Sequence, residues 1–384
     1  MGVLRLLLAI AVIIAHCDAI PVLRPVSGSV AVEAFFIISG FYMSLILQEK
    51  YINKPYRLFI TNRLLRIYPV YWGVLIATCL FCLIIRLLSG PESFPIFDQY
   101  LSVPVTGGAI PFLILTNLLI FGQDIVMFLG ISTGTGALFF TDNFWQTSPP
   151  LYSFLFIPQA WSLGVEMLFY LIAPFLSRRR TIWIILLILL SLALRIYIYN
   201  QLELRHDPWT YRFFPTEILF FLSGFMSYRL YLKVRHCRIP GYINSSVLAY
   251  IILATTCYGW IPEFQSQMLP FSWNEIVYFL SVAGAVPLLF NYLKNSKRDN
   301  WIGQLSYPMY ISHLLVARIL YALPFSPLKH SWCIVTTTVI FSLLLEIFIA
   351  RPVEIYRQKR LRQSPAAGSR PFWSSMAVKE KACR

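Results

Sequence analysis

The sequence predicts an all-α polytopic membrane protein, a bundle of about ten transmembrane helices with both termini cytoplasmic. Three observations carry this. Hydrophobic residues make up 58% of the 384 and charged residues only 13%, about half the charged share of a soluble domain. Apolar runs of about 18 residues or more recur along the whole chain, each long enough to cross a bilayer as a helix. These runs do not alternate in polarity, which argues against a transmembrane barrel and leaves helices to satisfy the backbone internally.

The expected spans are 3–21, 29–48, 67–89, 152–176, 181–199, 214–232, 243–261, 273–293, 304–324 and 331–350. The first also reads as a signal peptide, with a basic start and a short apolar core. His16 before Cys17 suits neither lipoprotein processing nor easy cleavage, so a retained span is expected. The stretch 110–130 is apolar but ambiguous, and charge counting decides how to treat it. Lys50, Lys54, Arg57, Arg63 and Arg66 mark one loop as cytoplasmic. The loop 90–109 carries Glu92 and Asp98 and no lysine or arginine. If 110–130 does not cross fully, Arg178–Arg180, Arg229–Arg238, Lys294–Arg298 and the tail after Arg351 all fall inside, the cheaper assignment. Residues 1–356 form the membrane domain, and 357–384 read as a short basic tail, disordered by composition.

The net charge of +15 follows from these loop clusters, so nucleic acid is not an expected partner. The partner implied by composition is the lipid bilayer. Cys79 and Cys82 lie inside an apolar run, where small soft residues pack helices, and no spacing predicts a metal site.

Ionisable residues inside spans are functional hypotheses by default. Arg5 and His16 stand eleven residues apart, about 20° past three full helical turns and so on one face, with an axial separation of about 16 Å. Glu33, at a similar depth in the second span, is the expected partner that orients His16. Glu166 follows Trp161 and Ser162 in "AWSLGVEMLFYL" and needs a partner or a substrate. Arg63 and Arg66 share a helix face and suit phosphates, which arginine binds in bidentate fashion. Tyr310 and His313, three apart, form another intramembrane pair.

Several ordered segments carry a family resemblance. "RLLLAIAVIIAH" gives Arg5 and His16; "SVAVEAFFIISGFYMS" gives Glu33, Ser39 and Gly40; "NRLLRIYPVYW" gives Arg63, Arg66 and Pro69; "QAWSLGVEMLFYL" gives Trp161, Ser162 and Glu166; "IGQLSYPMYISH" gives Gly303, Ser306, Tyr307, Tyr310 and His313; and "ARPVE" closes the last span. In this order, over about residues 3 to 357, the chain resembles the acyltransferase-3 family, integral-membrane enzymes that O-acylate cell-surface glycans. Met167 stands where the family has a second acidic residue, and Ala350 and Arg351 where it has another before the last-span proline.

The resemblance implies an acyl-CoA co-substrate, chiefly acetyl-CoA, no metal, and a glycan or lipid-linked saccharide acceptor at a bacterial inner membrane. His16 is then the general base or a transient acyl acceptor. Glu33 and Glu166 join it as catalytic candidates. Arg5, Arg63 and Arg66 would hold the donor, and Trp161, Ser162, Tyr310 and His313 the acceptor. The competing reading is a transporter or flippase, which also buries charges in a helical bundle, although no inverted repeat is evident.

Overall fold

The computed structural model describes residues 1–17, 23–90, 96–266 and 268–364. The end of the first expected span, Glu92 and the tail from 365 onward lie outside the described residues. The helices are α1 (Gly2–Ala15), α2 (Gly28–Glu49), α3 (Tyr56–Ser89), α4 (Ile96–Leu101), α5 (Ala109–Leu119), α6 (Trp161–Leu176), α7 (Thr181–Asn200), α8 (Phe214–Val234), α9 (Gly241–Thr256), α10 (Trp273–Leu293), α11 (Lys297–Ala322), α12 (Ser331–Leu345) and α13 (Arg351–Gln363).

The protein is a helical membrane protein. Six helical segments are long and apolar enough to cross a bilayer: Gly28–Glu49, Tyr56–Leu88, Pro158–Leu176, Thr181–Asn200, Trp273–Leu293 and Ser331–Gln363. α1 and α9 are apolar but shorter, 14 and 16 residues. α5 has only 11 residues, about 16 Å at ~1.5 Å per residue, and turns at Ile120, so 110–130 is not one continuous helix. Three expected boundaries shift. α1 ends at Ala15 and leaves His16 as its C-terminal cap. α3 begins at Tyr56, which brings Arg57, Arg63 and Arg66 from the expected loop into the helix. Helix α13 runs through the expected start of the tail, so residues 357–363 are helical.

α1 packs into the bundle against α2, α9, α11 and α12, with Leu4, Leu8, Val12 and Ile13 buried. Its N-terminus is capped across helices: the Gly2 and Val3 amides donate to the Asp299 carboxylate of α11 at 2.7 and 3.0 Å. Those amides have no intrahelical acceptor, and a carboxylate there also meets the positive end of the helix dipole. α2 and α8 touch backbone to backbone. A Cβ on Gly40 would lie 1.9 Å from the Phe221 carbonyl oxygen, and one on Gly224 would lie 2.0 Å from that of Ile37. Small residues permit this approach where no hydrophobic force drives helices together.

Between α3 and α6 the chain forms a separate layer with its own apolar cluster, including Val103, Leu113, Met127, Phe144 and Phe154. The segment after α5 folds into a short antiparallel hairpin, β1 (Leu129–Ile131) with β2 (Leu138–Phe140), pairing Leu129 with Phe140. Asn117 staples the layer: its side-chain amide donates to the Tyr100 hydroxyl at 3.0 Å, and its oxygen accepts from the Phe156 amide at 2.9 Å. The layer meets α11 where Gln159 donates to the Ile311 carbonyl (2.8 Å) and Arg318 to that of Phe156 (3.1 Å).

Candidate active site

Two adjoining cavities run into the bundle from the Arg5 end of α1. The inner one, about 100 Å³, is lined by α1, α2, α3, α6 and α11 and includes Ser39, Ser162, Glu166, Tyr170 and Tyr310. The other, about 210 Å³, is lined by α1, α3, α11 and the α12–α13 junction, including Glu346, Glu354 and Arg357. Arg5, Arg66 and Tyr307 belong to both walls. Cations outnumber carboxylates in each wall.

Local sequence builds the larger cavity. Pro69 and Pro308 lie inside α3 and α11. Proline has no N–H, so the carbonyls four residues earlier, on Leu65 and Gln304, lack their usual helical donor. All four residues line the cavity. On the opposite wall, Glu346–Ala350 forms a π-turn between α12 and α13, a local widening often found at functional sites. α13 is fastened to α3 through Asn62: Arg357 Nε donates to its carbonyl at 2.7 Å and Arg360 Nη1 to its side-chain oxygen at 3.0 Å.

Arg5 and Arg66 dominate the shared wall. Among the described residues neither guanidinium has a hydrogen bond or an ion pair. Each acts on the other electrostatically, and Glu166 attracts both. Glu166 Oε1 accepts hydrogen bonds from the Ser39 and Tyr170 hydroxyls, the latter at 2.7 Å. Those neutral donors fix the carboxylate and leave the arginines open to a ligand. Guanidiniums left unpaired in a cavity fit a phosphate-bearing partner by charge and by donor geometry.

Ser162 and Tyr310, both named in the sequence as acceptor candidates, meet in the structure. Their hydroxyls are 2.6 Å apart, and Tyr310 also donates to the Gln159 carbonyl at 2.8 Å. Tyr310 and Phe35 close the His16 end of the inner cavity, ring centroids 6.5 Å apart. Beyond Tyr310 lies His313, at 6.1 Å between centroids, and beyond that His16, at 5.0 Å from His313. His16 is exposed and His313 fully buried. His16 Nδ1 lies 2.8 Å from the Val12 carbonyl oxygen. A carbonyl only accepts, so Nδ1 carries the hydrogen, and in the neutral ring Nε2 is then the acceptor.

Three expectations, on Glu33, Arg63 and Trp161, need correction. Glu33 does not partner His16: its Oε1 accepts from Arg195 Nη2 at 2.8 Å, while Arg195 Nη1 donates to Glu217 at 3.1 Å. The geometry follows from α2, α7 and α8 packing together, and a carboxylate at membrane depth takes the nearest cation. His16 lines neither cavity and caps α1 beyond Tyr310 and His313. Arg63 is not brought to either cavity. It lies buried over the Phe59 ring, 5.9 Å from its centroid, with Nε and Nη1 unpartnered among the described residues. Trp161 packs away from the cavities, under the Arg212 guanidinium at 4.4 Å and against Tyr211.

The sequence reading missed Arg195 and Glu217, both inside expected spans, which the rule that flagged Glu33 would have found. It also passed over Tyr42 and Tyr170, whose cavity positions carry no sequence signal beyond an aromatic in an apolar run. Among the described residues no group of three or more histidine, cysteine, aspartate or glutamate side chains is placed to hold a metal.

Comparison with known proteins identifies the family. An uncharacterized protein of Aquifex aeolicus (strain VF5) is 28% identical over 175 residues, 44% of this chain and 73% of that protein. No solved structure matches the chain. The acyltransferase domain of the acyltransferase-3 family matches residues 1–351, which include the residues of α1, α2, α3, α6 and α11 at both cavities. The chain belongs to that family and is a membrane acyltransferase.

Proposed function

We propose that the protein moves an acyl group, acetyl in the first instance, from acyl-CoA to a hydroxyl of a polysaccharide or lipid-linked glycan at a bacterial inner membrane. The observation that carries this reading is the pair of unpaired guanidiniums, Arg5 and Arg66, that line both cavities. They suit the phosphates of a CoA donor reaching in from the cytoplasmic side. The eleven residues from Arg5 to His16 span about 16 Å along α1, a length an extended pantetheine arm matches.

In this reading the thioester reaches His16 when the Phe35 and Tyr310 rings, which close that end of the cavity, move aside. His16 Nε2 takes the proton of the acceptor hydroxyl as its oxygen attacks the thioester carbonyl. The C–S bond breaks, the ester C–O bond remains, and the proton goes to the departing thiolate. The Nδ1–H bond to Val12 holds the imidazole in the tautomer this requires. General acid–base catalysis contributes about 10²–10⁴-fold. The test is transfer of labelled acetyl from acetyl-CoA to the membrane glycan fraction. His16→Ala at unchanged membrane abundance is expected to lose at least ~100-fold; full activity would remove His16 from the mechanism.

A further inference from the structure

The inner cavity follows α2 from Met43 to Val32, about 16 Å at ~1.5 Å per residue, and its polarity changes along that length. At the Met43 end, Tyr42 is within electrostatic reach of both Arg5 and Arg66. In the middle, Ser39 is bonded to Glu166. At the far end Val32, Phe35, Phe36 and Leu163 supply an apolar wall. The two hydroxyls there, on Ser162 and Tyr310, are bonded to each other, and Tyr310 also donates to the Gln159 carbonyl.

The residues of the far end differ in how readily they yield. Phe36 stacks on Phe221 with ring centroids 4.5 Å apart, and Phe221 on Phe169 at 4.2 Å. Tyr310 is tied through its hydroxyl. Phe35 has no polar atom to tie it. It is only partly buried and packs against both the main core and the apolar cluster shared by α1, α11 and α12. Phe35 is therefore the adjustable stop of the cavity. A donor held at Arg5 and Arg66 brings its acyl group against that stop before the rings move aside.

We propose that Val32, Phe35, Phe36 and Leu163 form the acyl subsite and that Phe35 sets the length it takes. The donor then carries a short uncharged acyl group, acetyl or propionyl, and not a long or a dicarboxylic one. Each added methylene needs space that the Phe35 ring occupies, and one methylene is worth about 10–200-fold where a pocket discriminates. A terminal carboxylate, as in succinyl, is costly in apolar surroundings unless it is paired. The charged residues of this cavity wall are Arg5, Arg66 and Glu166. The two cations lie at the opposite end, and Glu166, itself an anion, stands between. This rests on the donor reading given above and names the acyl class for that site.

The experiment measures equilibrium binding to the full-length protein in detergent. The probes are CoA and three CoA ketones, in which a methylene replaces the thioester sulfur, carrying acetyl, hexanoyl or succinyl chains. Wild-type protein is expected to bind the acetyl ketone about ten-fold or more tighter than the other two ketones. Phe35→Ala should raise hexanoyl affinity relative to acetyl by about ten-fold or more and leave succinyl excluded. Taking each affinity relative to acetyl cancels any loss of folded protein. Phe35→Leu should shift the ratio the same way by less, and it decides the matter if Phe35→Ala does not fold. Hexanoyl or succinyl bound as tightly as acetyl by wild type overturns the proposal, as does one hexanoyl-to-acetyl ratio shared by wild type and the Phe35 variants. Wild-type protein that binds neither CoA nor any ketone overturns the donor reading itself, and the acyl subsite with it.

Discussion

Glu33 is bonded to Arg195 at 2.8 Å, and Arg195 holds Glu217 at 3.1 Å on its other nitrogen. The guanidinium also donates to the Thr210 carbonyl and lies 4.2 Å from the Phe271 ring centroid. One cation thus joins α2, α7, α8 and the loop before α8, in a setting where all three charged side chains are almost completely buried.

Removing that cation strands two carboxylates. Arg195→Met is expected to cost about 3–5 kcal/mol, the range for breaking a buried ion pair from one side. The check is thermal unfolding in detergent. Adding Glu33→Gln and Glu217→Gln should recover much of the loss, because the stranded charges are then gone. A single variant as stable as wild type would mean that the cluster does not hold the helices together.

The α2–α8 crossing makes a second stability prediction. Gly40→Ala and Gly224→Ala each push a methyl group into a facing backbone, where neither helix has a flexible atom to yield. Each is expected to destabilise by about 1–3 kcal/mol. Gly284→Ala in α10 is the control. Its Cβ would meet nothing within 4 Å, so it should be neutral or stabilising by up to ~1 kcal/mol.

Tyr310 separates positioning from chemistry. Tyr310→Phe removes the hydroxyl that bonds Ser162 and the Gln159 carbonyl, a loss of about 1 kcal/mol per bond. Steady-state kinetics should show a decrease in kcat well short of that of His16→Ala, with donor KM little changed. A decrease as large as that of His16→Ala would place the Tyr310 hydroxyl at the reacting atoms.

Much of this site was legible in sequence. Arg5, Arg66, Ser162, Glu166 and Tyr310, each singled out in the sequence, line one cavity. What the sequence withheld was mainly neighbourhood. Depth in a span can be counted, so Glu33 and His16 were placed at similar levels, but which helix faces which cannot, and Glu33 turned to Arg195 on α7. Arg63 and Arg66 differ by about 60° around α3, enough to put one over the Phe59 ring and the other at the cavities. The position of α13 was hidden because its basic composition reads as a solvated tail, whereas Asn62 of α3 supplies it with acceptors.

The most direct test of the donor site is equilibrium binding of CoA and of pantetheine, which lacks the phosphates, to wild-type protein, Arg5→Gln and Arg66→Gln in detergent. The account predicts that each substitution weakens CoA by about ten-fold or more, the order expected for a charge-assisted phosphate contact, and leaves pantetheine nearly unchanged. Equal CoA affinity in all three proteins would contradict it.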